Sequence, residues 1–236
     1  YGYRELYAPA NYAGQSAYEL QTPGNPAYNW EMNRIADVAV EAGFFKNRLR
    51  TELDFYNRIT DGLFVNRNLS LTTGFATISS NEGKIRNRGV ELMIEGDIIK
   101  QKDWKVTAGL NLAYNQNLVL TLGNESKIFA DEASMSLPGY ILGTFYAVRW
   151  QGVDPATGAP IYLTKDGKTT NTYNSGDAVP MAGKVYDPPY KGGFTLNVTY
   201  KQFEFSLLMS FIKGMYRLNY PNLYAHSGDA NYRQYN

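Results

Sequence analysis

Apolar and polar residues alternate along this chain in runs of ten or more positions, and the runs come in pairs joined by very short turns. In the clearest run, Leu49, Thr51, Leu53 and Phe55 fall on one face of a strand and Arg50, Glu52, Asp54, Tyr56 and Arg58 on the other. A strand in water is usually about 5–6 residues long, whereas one that crosses a membrane needs roughly 9–11. The pattern therefore predicts strands that separate lipid from water.

Three hairpins follow from it. In the first, Ala36, Val38, Val40, Ala42 and Phe44 alternate with Asp37, Ala39, Glu41 and Gly43, and the turn Phe45-Lys46-Asn47-Arg48 leads into the run above. In the second, Val90, Leu92, Ile94, Gly96 and Ile98 oppose Glu91, Met93, Glu95, Asp97 and Ile99. After Lys100-Gln101-Lys102-Asp103 the chain returns with Trp104, Val106, Ala108, Leu110, Leu112 and Tyr114 on one face. The third runs from Phe194, Leu196, Val198 and Tyr200 through Lys201-Gln202 to Phe203, Phe205, Leu207, Met209 and Phe211. The predicted division is loop 1–29, hairpin 30–60, loop 61–87, hairpin 88–115, a long loop region 116–191 with short β elements, hairpin 192–214 and loop 215–236. Turns are short at one end and long at the other, as in outer-membrane barrels, and Phe44, Phe45, Trp104, Tyr200 and Phe203 cluster at the short-turn end like an interfacial girdle.

The fold class expected is all-β, an antiparallel transmembrane β-barrel segment. A Lys or Arg facing lipid at the midplane costs about 2–4 kcal/mol, so the charged face must turn inward. That makes Arg50, Glu52, Asp54, Tyr56, Arg58, Glu91, Glu95 and Asp97 lumen-facing candidates. Three hairpins cannot span a bilayer alone, because open edges leave backbone groups unpaired in hydrocarbon. An antiparallel sandwich in water also alternates, and the repeated coupling of long strands to tiny turns is what favours the membrane.

Composition narrows the function. A formal net charge of +1 gives no argument for nucleic acid, and zero cysteines exclude disulfides, thiolate metal sites and a cysteine nucleophile. No apolar run has the length of a membrane helix. Tyr1 is not an initiator methionine and no signal peptide follows it, so the chain reads as an internal piece of a longer protein.

Catalysis has little support. His226 is the only histidine and sits in a Tyr, Asn and Gly context, as a solvated loop residue does. Glu91, Glu95 and Asp97 share a strand face, which suits a hydrated lumen better than an acid–base pair. Gly192-Gly193 lacks the fingerprint of a nucleotide loop, and the sequon matches at Asn68, Asn124 and Asn197 fit chance in an Asn-rich chain. No metal or cofactor is expected. The loops are better candidates: Tyr3, Tyr7, Tyr12, Tyr18, Tyr220 and Tyr224 offer flat apolar faces with polar tips, suited to sugar rings, peptides or a protein lid. Equally, such tyrosines pack loops and mark a membrane boundary. Asp154-Pro155-Ala156-Thr157-Gly158 reads as a tight turn before a short strand at Pro160 to Leu163.

Gly43-Phe44-Phe45-Lys46-Asn47-Arg48-Leu49, Asp54-Phe55-Tyr56-Asn57, Thr72-Thr73-Gly74-Phe75, Asn87-Arg88-Gly89-Val90-Glu91-Leu92, Gly143-Thr144-Phe145-Tyr146, the stretch Val153 to Tyr162, and Gly192-Gly193-Phe194 with Tyr200-Lys201 occur in a fixed order. This ordered set resembles the C-terminal barrel half of the SusC/RagA-like TonB-dependent outer-membrane transporters of Bacteroidetes. The resemblance implies a plugged barrel of about 22 strands, energy from the TonB complex through a plug outside this segment, a SusD-like surface lipoprotein as lid, and an oligosaccharide or, less often, a peptide as cargo. Leu163-Thr164-Lys165-Asp166-Gly167-Lys168 stands where many relatives carry an acidic Asp- and Gly-rich stretch, so no metal site is carried over. The expectation is an importer segment in the outer membrane; a passive porin and a secreted β-rich glycan-binding module are the alternatives.

Overall fold

The computed structural model describes residues 2–124, 128–129 and 133–219. In chain order the strands are β1 (Leu6–Tyr12), β2 (Gln15–Thr22), β3 (Met32–Phe44), β4 (Leu49–Asn68), β5 (Thr77–Lys100), β6 (Trp104–Leu122), β7 (Ile128–Phe129), β8 (Ser134–Ser136), β9 (Thr144–Ala147), β10 (Arg149–Val153), β11 (Pro160–Leu163), β12 (Thr169–Thr170), β13 (Val179–Val185), β14 (Tyr190–Tyr200) and β15 (Phe203–Lys213). Six of them form one antiparallel sheet in the order β15-β14-β6-β5-β4-β3.

Its register sorts the side chains into rows that keep their face across every strand. On the outer face Val38, Phe55, Val90, Tyr114 and Tyr190 form one row, and Val40, Leu53, Leu92, Leu112, Gly192 and Phe211 the next. Below them Thr51, Ile94, Leu110, Phe194 and Met209 are partners in turn. Among the described residues no second layer covers this face: Val38 stays 63% exposed. Val38, Leu53, Leu92 and Leu110 are therefore not the core of a two-layer body in water, and hydrocarbon is the solvent that suits them.

Aromatic pairs bound the apolar band above and below. Trp104 and Tyr200 face each other across β6 and β14 with ring centroids 4.3 Å apart, and Tyr114 and Tyr190 repeat the arrangement at 5.0 Å. The two pairs lie ten residues apart on each strand. At about 3.3 Å per residue and a tilt near 40°, that separation is roughly 25 Å, the height of an outer-membrane barrel's apolar band.

Local chemistry closes the short turns. Phe45, Lys46 and Asn47 all have positive φ (54°, 57° and 63°), and Gly43 leaves the space that the Asn47 side chain fills. The Arg48 guanidinium donates to the carbonyls of Asp97 (3.0 Å) and Ile98 (3.1 Å). The Lys201 N–H donates to the Asp103 carbonyl at 2.9 Å, joining two neighbouring turns.

The strands run further than alternation predicts. β4 continues to Asn68, β5 begins at Thr77 and β6 reaches Leu122, so most of the predicted 61–87 loop is paired strand. The register shifts around Leu63, where Gly62 has φ 72°, reset the phase and hide the periodicity. Above the upper girdle both faces are polar or covered, so alternation is no longer needed. A bulge at Ile98 likewise sets Ile99 opposite Val106, where strict alternation assigns it to the inner face. The first predicted loop contains the β1–β2 hairpin, and β14 begins at Tyr190.

Among the described residues the buried hydrophobic ones gather at the long-loop ends of the strands. Val65, Val119, Leu122, Met135, Phe145 and Val185 form this core. The segment after β6 folds back on it: the Val119 N–H donates to Tyr140 O at 2.9 Å, and the Leu142 N–H to Asn117 O at 3.0 Å. One small sheet, β13-β9-β8-β7, belongs to this shelf, and β10-β11-β12 forms a separate sheet after it.

Candidate functional site

The inner face of the sheet is a graded polar surface built by the same register. Arg50 is the partner of Glu95, and their side chains form an ion pair. One row up, Glu41, Glu52, Met93 and Asn111 line across β3 to β6; above it come Ala39, Asp54, Glu91 and Ala113. Asp37, Tyr56, Gly89 and Asn115 complete the series. Asp37, Glu41, Glu52, Asp54 and Glu91 thus crowd one side of the wall, with Arg50 already taken by Glu95. Among the described residues no group of carboxylates and histidines is arranged to hold a metal ion.

Tyr56 is positioned by absence. Gly89 has no side chain, the phenol ring of Tyr56 lies across it, and the hydroxyl donates to Asn115 Oδ1 on the next strand at 3.0 Å. Arg58 Nε donates to Asn33 Oδ1 at 3.2 Å, and the Thr60 hydroxyl to the same oxygen at 2.6 Å. Asp97 accepts from the Thr107 hydroxyl at 3.1 Å near the short-turn end. The register places all eight residues expected to line the lumen on one face of the sheet, opposite the apolar band. Asp37 and Glu41 share that face and were legible in the same alternation. Leu208 and Ile212 also lie on it, so the β15 inner face is mixed.

The tyrosines divide. In the β1–β2 hairpin, turned by Ala13-Gly14, Tyr7 pairs with Leu20 and Tyr18 with Pro9, which sets Tyr7 and Tyr18 diagonally on one face and Tyr12 on the other. Tyr3 precedes the hairpin, and all four are exposed. The Tyr7 hydroxyl donates to Glu5 Oε2 at 2.7 Å, and that carboxylate holds the phenol above its usual pKa. Tyr220, Tyr224 and His226 lie outside the described residues.

A clasp that composition could not signal fixes the hairpin segment to the wall. Asn81 Nδ2 donates to Asn29 O (2.7 Å) and Gly62 O (2.8 Å), its Oδ1 accepts the Asn29 N–H (2.7 Å), and Asn25 Nδ2 reaches Ser79 O (2.8 Å). Tyr28 stacks on Phe64 at 4.7 Å and 7°.

Farther along, Asp154 closes the tight turn expected from the sequence. Its Oδ1 accepts the Ala156 N–H at 2.8 Å, its carbonyl the Gly158 N–H at 2.8 Å, and Pro160–Leu163 follows as β11. The Ala156 N–H, then the Thr157 hydroxyl, hold the Asp154 carboxyl below the ordinary carboxylate pKa. A lowered folded-state pKa means that the turn gains order above the ordinary value and loses it as pH falls through the lowered one. The protection of the Ala156 and Gly158 amides from exchange, taken relative to the intrinsic rate at each pH, should therefore fall at acid pH, and Asp154→Asn, which keeps an acceptor without a charge, should flatten that response.

Comparison with known proteins agrees with this geometry. Residues 1–236 match the profile of the TonB dependent receptor-like β-barrel family. The chain belongs to this family. TonB-dependent receptor P3 of Formosa agariphila is 25% identical over 234 residues, covering 88% of this chain and 23% of that receptor. TonB-dependent receptor SusC of Bacteroides thetaiotaomicron is 27% identical over 231 residues, covering 87% of this chain and 22% of the relative. The RagAB peptide importer in its open-open state superposes with a TM-score of 0.83 at 28% identity, over 91% of this chain and 24% of that one. The chain thus spans about a quarter of the length of these relatives. It is a segment of a TonB-dependent receptor barrel in the outer membrane, similar to those of Bacteroidetes, and not of an enzyme.

Proposed function

We propose that this segment forms part of the wall and extracellular rim of an energy-coupled outer-membrane importer for a large nutrient, an oligosaccharide or a peptide, working with a SusD-like surface lipoprotein. The observation that carries the reading is the two-faced sheet: an apolar band of membrane height between aromatic girdles, backed by an acid-rich wet face. Backbone groups on the outer edges of β3 and β15 need further strands in hydrocarbon, which supports a larger, closed barrel of about 22 strands around a plug. The exposed Tyr7 and Tyr18 face and the rigid shelf give a lid and a cargo something flat and amphipathic to meet. A peptide cargo is favoured by the likeness to the RagAB peptide importer, an oligosaccharide by the family resemblance in sequence.

Facing is tested in the intact transporter with single cysteines at Leu53 and Asp54, since this segment contributes no cysteine of its own. A lipid-soluble probe should label position 53 and a charged, water-soluble one position 54. Reversed labelling would exclude the inward placement of the charges. Energy coupling is tested separately: collapsing the proton gradient should stop uptake of the cargo, whereas unchanged uptake would mean a passive pore.

A further inference from the structure

Arginines stand on the outer face where the apolar band ends. In the rows above Val38, Phe55, Val90 and Tyr114, the register aligns Ala36, Asn57, Arg88 and Gln116, then Arg34, Ile59, Arg86 and Leu118. Arg34, Arg86 and Arg88 therefore point toward the lipid side at the extracellular end, just above the Tyr114–Tyr190 girdle. At about 4.8 Å between strands, Arg34 and Arg86 stand roughly 10 Å apart across Ile59.

Among the described residues no ion pair holds them, although the Asp61 carboxyl on the same face attracts Arg34. Among the described residues none of the three has a carboxylate within 4 Å; the nearby Asp61 is held by Lys84 Nζ at 2.9 Å. Arg88 Nε donates to the neutral Gln116 Oε1 at 2.9 Å, and Arg86 Nε is buried with no partner. A buried guanidinium N–H without an acceptor costs stability. Directly beneath, a groove of about 540 Å³ is lined by Ala36, Val38, Phe55, Val90 and Tyr114, with Arg88 at its upper margin. Cations over an apolar trough fit a molecule with anionic oxygens above and alkyl chains below.

We propose that this patch is a binding site for a phosphorylated, multiply acylated glycolipid of the outer leaflet, its phosphate on Arg34, Arg86 and Arg88 and an acyl chain in the groove. The extracellular level of the patch selects this lipid over glycerophospholipids of the inner leaflet. Its width across β3 to β5 suits a broad headgroup, and guanidinium forks match phosphate oxygens. The inference rests on the outward assignment of these rows, which the Leu53 and Asp54 labelling tests on its own.

The test is native mass spectrometry of the intact transporter extracted from outer membranes in mild detergent, with lipid phosphate measured per protein. Arg34→Ala, Arg86→Ala and Arg88→Ala should each lower bound glycolipid about fivefold, and together reduce it to background. Lys105→Ala and Lys191→Ala, on the inner face, should leave it unchanged. Ala36→Trp, which fills the groove and keeps every arginine, should also expel the lipid. Heat-dependent gel migration reports which variants are folded; should Arg86→Ala fail to fold, the Arg34/Arg88 pair and Ala36→Trp decide. Wild-type lipid levels in the triple or paired variant, equal losses in the inner-face controls, or the same arginine-dependent retention of phosphatidylglycerol would each overturn the proposal. Normal labelling at positions 53 and 54 with unchanged lipid retention would refute this site and leave the wall assignment intact.

Discussion

Leu110→Arg is expected to stop the barrel from assembling, whereas Asn111→Arg, one residue along the same strand, should leave it folded. Leu110 lies between the two girdles on β6, with Ile94 and Phe194 as its cross-strand neighbours. An arginine there faces hydrocarbon near the midplane and costs about 2–4 kcal/mol, roughly a 30- to 1,000-fold shift in the folded fraction. Asn111 pairs with Met93 and Gly193 on the wet face beside Glu52, where a cation meets water and a surplus of carboxylates. The measurement is the amount of heat-modifiable, membrane-inserted protein for each variant of the intact transporter. Equal yields would mean that β6 does not separate lipid from water.

Gly89→Ala should destabilise the wall by about 1–3 kcal/mol, although alanine ordinarily improves a strand position. A Cβ at residue 89 would collide with the Tyr56 ring and with the carbonyl oxygen of Tyr114. The ring can move; the carbonyl belongs to the ladder and cannot. Tyr56→Ala removes the hydrogen bond to Asn115 and uncovers Gly89. Adding it to Gly89→Ala should therefore cost less than the sum of the single changes, by about 1 kcal/mol, because the ring clash vanishes while the carbonyl clash stays. Urea unfolding in lipid vesicles measures each corner of the cycle. Strict additivity, or a more stable Gly89→Ala, would show that the ring and the glycine are not fitted to one another.

How much of this was legible in the chain depends on where two solvents meet. Between the girdles every strand has lipid on one side and water on the other, so alternation was forced. The hairpins around Leu53, Leu92, Leu110 and Phe194 could be read with the division of their residues between two faces. Beyond Tyr114 and Tyr190 that constraint ends. Paired strand at Asn66 to Asn68 and Thr77 to Ser80 carries no periodic signature, and bulges near Leu63 and Ile98 change the phase. The Asn81 clasp and the Tyr28–Phe64 stack depend on contacts between distant parts of the chain, which no local pattern encodes. The tight turn at Asp154 was legible because an aspartate binds backbone amides within its own few residues.

The cross-strand partners Asp37 and Glu41 were visible as polar positions, but their meaning emerged only when β3 was set beside Asp54 and Glu52. Outward arginines were hidden for a related reason. Arg86 falls in the predicted 61–87 loop and Arg34 and Arg88 at the margins of predicted hairpins, and only the register sets all three on the face that carries Val38, Phe55 and Val90.

The continuation of β4 past the upper girdle has a consequence for access. From Phe55 to Asn68 the strand climbs thirteen further residues, on the order of 30 Å of rise at the tilt used above, braced by β5. The wall is therefore about as tall outside the bilayer as within it. In the transporter proposed above, a bulky solute arriving from outside would meet a protein turret before it reached the level of the headgroups, and the Asn81 clasp and the buried shelf would help to set the first size limit on what enters.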